Sequence, residues 1–264
     1  MRDILRWRGL PGFRERGKLP ISPPRAPDGM RIYALGDIHG HLVALERILA
    51  AIAEDAVRAR ADGVEPVLIF LGDYVDRGAE SRRVLDRLSD GALGGVECRF
   101  LLGNHEAVLL DFLHEPAAAA EWLDFGGVET LASYGVVASL GLRERARCEA
   151  IRDRFVECLP EEHRIFLDRL EAMIVLGDYA FVHAGIRPGR SLDKQSLDDL
   201  LWIREPFLSD PRRHEKVVVH GHTVIDEPEL LPNRICVDTG AYATGILSAI
   251  VLQGDRQWLI QVRA

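Results

Sequence analysis

Gly36-Asp37-Ile38-His39-Gly40, Gly72-Asp73-Tyr74-Val75-Asp76-Arg77-Gly78 and Gly103-Asn104-His105-Glu106 decide how this chain is read. Each follows a largely apolar run (Arg31 to Leu35, Pro66 to Leu71, Glu97 to Leu102) that predicts a buried β-strand. Each therefore sets oxygen and nitrogen donors in a loop at a strand's end. Helical patterns separate them, over about His41 to Arg60, about Ala79 to Ser89 and from Glu106 onward. Strand, loop and helix repeated in this way predict an α/β fold. In the first helix Leu42, Leu45, Ile48, Leu49 and Ile52 recur at spacings of three and four, which gives one apolar face to lay on a sheet.

Working outward, the strand signals give way to helical patterns between about residues 115 and 170, over Ala117 to Leu123, Arg143 to Cys158 and Glu161 to Leu170. This predicts a helical insertion beside the loops. Its Trp122, Gly126-Gly127 and Tyr134 either shape access to the site or pack the insertion's own core. Strands return as Met173 to Leu176 and Tyr179 to His183 around a Gly177-Asp178 hairpin turn. They continue as Lys216 to His220, Arg234 to Asp238, Gly245 to Leu252 and Gln257 to Val262, the last two joined at Gly254-Asp255. The expected architecture is two mixed β-sheets packed as a sandwich and flanked by helices, one domain over residues 29–264. Residues 1–28 stand apart, with Arg2, Arg6, Arg8, Arg14, Arg16, Lys18 and Arg25 set among five prolines. They predict a basic, Pro-rich arm, either wrapping the domain or meeting an acidic partner.

Composition limits what the chain can do. At 264 residues, 47% hydrophobic and 28% charged, it has enough material for one sizeable core. Its longest apolar stretches, Val67 to Leu71 and Gly245 to Leu252, fall well short of the about 20 residues that span a bilayer. The Arg-rich start lacks an apolar signal segment, so a cytoplasmic protein without a membrane partner is expected. A net charge of −8 argues against a general nucleic-acid binder. A phosphate substrate must then be drawn by local positive charge rather than by the global field. Cys98, Cys148, Cys158 and Cys236 are scattered without a close metal-binding pair; Cys98 and Cys236, in strand-like runs, read as small buried thiols, and no disulfide is implied.

The loops carry the chemistry. Asp37 and His39 lie two apart, so in an extended segment their side chains leave one face and can turn onto one ion. Asp73 and Asn104 end the next two strands, and neighbouring strands about 4.8 Å apart bring their tips into one small volume. Carboxylates gathered so closely need protons or cations to coexist. Asp, Asn and His donors without thiolate suit Mn, Fe or Zn rather than a sulfur-rich structural site. Phe181-Val182-His183-Ala184-Gly185 and Val219-His220-Gly221-His222-Thr223 each bring a histidine to the end of an apolar strand. There a neutral imidazole ligand fits better than a charge. His222, in the loop, is the expected ligand of its pair, and His220, on the strand, the structural residue.

Together the five segments resemble the metal-dependent phosphoprotein phosphatases among the calcineurin-like metallophosphoesterases, especially small bacterial and phage members, over about residues 30 to 252. The resemblance implies a dinuclear-metal phosphatase, with Mn, Fe or Zn as the pair. It would hydrolyse phosphate monoesters, phosphoserine and phosphothreonine in proteins above all, by direct attack of a hydroxide bridging the two ions. Asp37 and His39 would bind the first ion, Asp73 would bridge, and Asn104, His183 and His222 would bind the second. Asp76 and His105 would form the acid pair that protonates the leaving oxygen. Arg77 and, from Leu201-Trp202-Ile203-Arg204-Glu205, Arg204 would grip the phosphate together with Asn104 and His105. The bland alternatives are an Asp76–Arg77 ion pair within the loop and an Arg204–Glu205 surface pair.

Two rivals remain. Dinucleoside polyphosphate hydrolases resemble this pattern too, but tend to lack the Asp76 equivalent and to end the third motif in Asn-His-Asp, whereas this chain has Asn104-His105-Glu106. A non-catalytic phosphate-binding scaffold would be expected to have lost a ligand or an arginine, and none is missing. The partner implied is a phosphorylated protein or a small phosphoester; the sequence does not fix the oligomeric state.

Overall fold

The computed structural model describes residues 22–117 and 120–264. Among them ten strands form two five-stranded mixed sheets. In the first, β1 (Met30–Leu35), β2 (Glu65–Phe70) and β3 (Glu97–Phe100) run parallel, and β9 (Ile246–Gln253) and β10 (Arg256–Arg263) close the other edge in the order β10-β9-β1-β2-β3. In the second, β4 (Ile174–Leu176), β5 (Tyr179–Phe181), β6 (Val217–His220), β7 (Glu229–Leu230) and β8 (Arg234–Cys236) take the order β4-β5-β6-β8-β7, with β5, β6 and β8 parallel.

Side chains alternate across each strand, so one set of residues is shared between the sheets and another faces the helices. Ile32, Ala34, Val67 and Ile69 of the first sheet meet Phe181, Val219 and Ile235 of the second in a buried layer. The opposite face of the first sheet, with Tyr33, Leu35, Leu68 and Phe70, packs under α1 (Leu42–Ala61), α2 (Ser81–Ser89) and α3 (Asn104–His114). The helices α4 (Gly127–Ser133), α5 (Arg145–Cys158) and α6 (Glu161–Asp168) extend that layer. On the outer face of the second sheet, Leu200 of α7 (Leu197–Trp202) and Phe207 cover Ala180, Val182 and Val218.

Sheets with helices outside them are thus the observed architecture. Two local expectations need correction. The helix expected from Glu106 begins at Asn104, because the Glu106 carboxylate turns back to accept the Gly103 N–H at 3.1 Å and fixes the first turn two residues earlier. Asn104 and His105 therefore sit on a helix start rather than in a free loop. The helix expected over Ala117 to Leu123 is a 3₁₀ turn, Ala120–Phe125, with residues 118–119 outside the described ones. The two-residue strand β7 is too short to show a periodicity. Residues 1–21 of the expected arm lie outside the described residues. Of the rest, Ala26 is buried and donates its N–H to Gly254 at 2.9 Å, while Arg25 and Asp178 bond each other across the hairpin turn.

Candidate active site

Every motif lies at the carboxyl end of a parallel strand: residues 36–40 after β1, 72–78 after β2, 103–106 after β3, 182–185 after β5 and 221–223 after β6. The carboxyl edges of open α/β sheets are where ligands bind, because the loops there converge. The backbone is bent to serve that convergence. Among the described residues six non-glycine positions have a left-handed φ, and His39, Asp73, Asp76, Arg77 and His222 are five of them. Such conformations cost energy and persist where the surroundings over-determine them. Close approach also selects glycine: a Cβ on Gly221 would lie 2.1 Å from Asp37 Oδ1, and one on Gly103 would lie 2.2 Å from Asp73 Oδ1.

Asp73 stands at the centre. Its Oδ2 lies 3.4 Å from His39 Nε2 and its Oδ1 lies 3.4 Å from His183 Nε2, so it faces donors on two sides. One close group gathers His39, Asp73 and His105, and a second gathers Asp73, His183 and His222, each with its ligand atoms within 4.8 Å of one another. Asn104 joins the second, its Oδ1 2.8 Å from His183 Nε2 and 2.9 Å from His222 Nδ1. Asp37 falls outside both close groups. Its Oδ2 accepts the His222 N–H at 3.0 Å, while its buried Oδ1 has no partner. His220 is buried, has Gly221 O at 3.0 Å from Nδ1, and packs against Phe207.

These residues fit a pair of divalent cations. His39 and His183 each place Nδ1 2.8 Å from a carbonyl oxygen, those of Val75 and Leu71, which fixes the proton there and leaves a lone pair on Nε2. His183 Nε2 then confronts two oxygen acceptors, Asn104 Oδ1 and Asp73 Oδ1, an arrangement that a cation seated among them reconciles. Burial drives His39 and His222 down to about 3, so both are neutral, the ligand form. Burial and then the charges of Asp238 and Asp73 push Asp37 well up, the mark of carboxylates crowded beyond what water or protein dipoles can compensate. No thiolate joins the set, so the donors match Mn, Fe or Zn bound by nitrogen and oxygen.

His105 and Asp76 form a tight pair beside that cluster, with Nδ1 2.6 Å from Oδ2. Asp76 is fully buried, and the indole N–H of Trp122 donates to the same Oδ2 at 2.7 Å while the Thr130 hydroxyl donates to Oδ1 at 2.6 Å. Its carboxylate is thus engaged by three groups and not by Arg77. Burial opposes charge on His105, but Asp73 and the bonded Asp76 outweigh it and push the imidazole up to about 9. Arg77 Nη2 lies 3.1 Å from His105 Nε2, and its guanidinium stacks over Tyr242 at 4.7 Å. Arg204 lines the same pocket, and Glu205 accepts the Ser209 hydroxyl. Among the described residues neither arginine has a carboxylate within ion-pair distance, so both cations are available to an anion.

Four contributors were not assigned from sequence. Glu106 accepts the N–H groups of Asp73 and Tyr74 at 2.8 Å, Gly103 at 3.1 Å and Val75 at 3.2 Å, two on each oxygen. Burial and Asp73 push its titration up to about 8, while the four donors fill both oxygens and require the carboxylate. Glu106→Gln turns an NH₂ group towards two of those donors, which costs about 1–3 kcal/mol. Thermal unfolding should register this as a midpoint lowered by roughly 5 °C. Thr130 and Tyr242 carried no signal. Asp238 did: Val237-Asp238-Thr239-Gly240 follows β8 as the other motifs follow their strands.

Trp122, open between two roles in the sequence, is buried and holds the Asp76 carboxylate; Tyr134 is buried against His163 at 2.7 Å and packs the helical layer. Trp122→Phe keeps the ring and removes the donor. Turnover of an alkyl phosphate is expected to fall about tenfold, as loss of one hydrogen bond to a charged group implies. An unchanged rate would show that Asp76 needs no such support.

Known proteins resemble this chain over most of its length. Residues 30–247 match the Calcineurin-like phosphoesterase family. The chain is 27% identical over 223 residues to "Serine/threonine-protein phosphatase 2" of Salmonella typhimurium, covering 82% of this chain and 90% of that one. It is also 27% identical, over 236 residues, to an asymmetrical bis(5'-nucleosyl)-tetraphosphatase of Anoxybacillus flavithermus, covering 82% and 88%. A solved structure of a candidate diadenosine tetraphosphatase shares the fold, with a TM-score of 0.61 at 22% identity over 88% of this chain and 93% of that one. The match takes in β1 to β3 of the first sheet, the whole second sheet and all five motif loops, and the chain belongs to the calcineurin-like phosphoesterases.

Proposed function

We propose that this phosphoesterase hydrolyses phosphate monoesters of serine and threonine side chains. The observation that carries the reading is the Asp76–His105 pair, 2.6 Å apart at the pocket beside Arg77. A serine or threonine oxygen leaves as a poor, strongly basic group unless a proton reaches it, and a held imidazolium is the donor for that task. A nucleotide phosphate leaves without such help.

Asp37, His39, Asp73, Asn104, His183 and His222 would hold the two divalent ions. When bound, such a pair supplies Lewis acidity that polarises the phosphoryl oxygens and activates water. Every other task falls to the chain. Arg77 and Arg204 grip the phosphoryl oxygens as forks and take up the charge that spreads over them in the transition state. Asn104 and His105, at the positive end of α3, add to that field. With Nδ1–H given to Asp76, His105 delivers the proton on Nε2 to the leaving oxygen. Arg77 Nη2 lies 3.1 Å from that nitrogen and can only donate, so the guanidinium turns to the phosphoryl oxygens when Nε2 carries the proton.

A second reading, hydrolysis of dinucleoside polyphosphates, is favoured by the relative so named at the same 27% identity as the protein phosphatase. Initial rates with Mn²⁺ on phosphoserine, phosphothreonine and phosphotyrosine peptides, beside diadenosine tetraphosphate, separate the two. The serine and threonine peptides are expected to be turned over fastest. A dinucleotide rate exceeding theirs would reverse the order of the two readings.

A further inference from the structure

The pocket that opens from the acid pair, about 730 Å³ in volume, has two electrically opposite ends. Arg77 and Arg204 line one end with His222, which is nine-tenths buried and has no partner at Nε2. Farther along α3 stand Asp111 and Glu115, and Glu121 lines the same pocket. Among the described residues none of these three carboxylates has a Lys or Arg nitrogen within ion-pair distance; Arg143, in the same layer, pairs with Asp124 instead. Exposed carboxylates are ordinary on surfaces, but here three of them share one concavity with two free guanidinium groups.

Helix α3 runs between the two ends. Its first residues, Asn104 and His105, lie at the phosphate end, and its carboxyl end, with His114 followed by Glu115, lies at the other. The helix dipole therefore adds positive potential where phosphate would bind and negative potential beside Glu115. At about 1.5 Å per residue, Asp111 and Glu115 lie about 9 and 15 Å along the axis from His105. An extended peptide advances about 3.3 Å per residue, so a long basic side chain two or three residues from a phosphoserine spans that gap. Phe125 and Trp202, whose indole lies 6.4 Å from the His222 ring, line the same pocket at 64% and 45% exposure and offer aromatic faces on which a guanidinium can stack.

We infer that this pocket selects phosphoserine and phosphothreonine peptides carrying a lysine or arginine two or three residues from the phosphate. The inference rests on the phosphatase reading above and narrows its substrate class. A dinucleoside polyphosphate has negative charge along its length and no cation to offer the acidic end.

The test uses the Mn²⁺-loaded protein and pairs of phosphoserine peptides that differ only by Arg or Glu at the second or third residue on either side. In the best register kcat/KM should favour the Arg peptide by about tenfold or more, given several exposed ion pairs acting together. The preference should shrink as salt rises to about 0.5 M, where screening shortens the reach of exposed charges. The triple variant Asp111→Asn, Glu115→Gln, Glu121→Gln should bring the ratio of the two peptides towards one; because the ratio is taken within one protein, a change in overall activity does not confound it. Equal rates on both peptides, or a preference that survives the triple variant, would overturn the selection while leaving the phosphatase reading in place. Cleavage of diadenosine tetraphosphate with neither peptide turned over would overturn both.

Discussion

The Asp73→Asn protein is expected to lose far more than 100-fold in turnover of any phosphoester and to bind less than its full complement of divalent ions. Asp73 is the residue whose two oxygens face donors on both sides, His39 at 3.4 Å and His183 at 3.4 Å. Partners one shell removed from a metal typically cost 10–100-fold when changed, about the floor for the bridging role proposed for Asp73. Asparagine is the informative substitution because it tests charge with little change of shape. Position 73 has φ 53°, in the left-handed region that Asn tolerates as well as Asp. The His105 N–H that bonds Asp73 Oδ1 at 3.1 Å keeps an acceptor in the amide oxygen. An intact circular dichroism spectrum beside lost metal, measured by elemental analysis after dialysis, is the expected combination. Full metal content with wild-type turnover would remove Asp73 from the centre of the site.

How much of this was legible in the sequence follows from which interactions are local. The α/β alternation and the ligand loops could be read because each motif sits directly after a strand whose apolar run announces it, so a linear signal marks a three-dimensional edge. Asp238 was legible by the same rule, since it follows β8 directly. Residues whose role depends on a partner far along the chain were not readable. Thr130 reaches Asp76 across 54 positions and Trp122 across 46, and no spacing rule links them. The start of α3 at Asn104 was missed because Glu106 caps its own helix and at the same time binds the loop after β2, more than 30 positions away. A periodicity cannot show that a carboxylate serves two elements. The two bland ion pairs were also undecidable in one dimension: sequence adjacency favours Asp76 with Arg77, whereas in the fold the carboxylate turns inward to His105 and the guanidinium outward to Tyr242.

The His105→Asn protein should separate substrates by their leaving groups. On a phosphoserine peptide the rate should fall by about 10²–10⁴-fold, the usual worth of a positioned general acid. On p-nitrophenyl phosphate, whose phenolate departs without a proton, the fall should be less than about tenfold. The substitution keeps a side-chain N–H that can reach Asp76, and Trp122 and Thr130 still donate to that carboxylate, so no buried charge is abandoned. The pH profile supplies an independent readout. His105 is charged below its pKa, so phosphoserine turnover should decline as pH rises through that value, and the variant should lack this alkaline limb. Part of the support for the imidazolium comes from Asp73 and part from Asp76, which together hold it up to about 9. Cations on Asp73 would offset the first part, so the limb in the loaded enzyme should lie below about 9. Equal damage to both substrates, with the limb unmoved, would strip His105 of the acid role and with it the chemical reason for preferring an alkoxide leaving group.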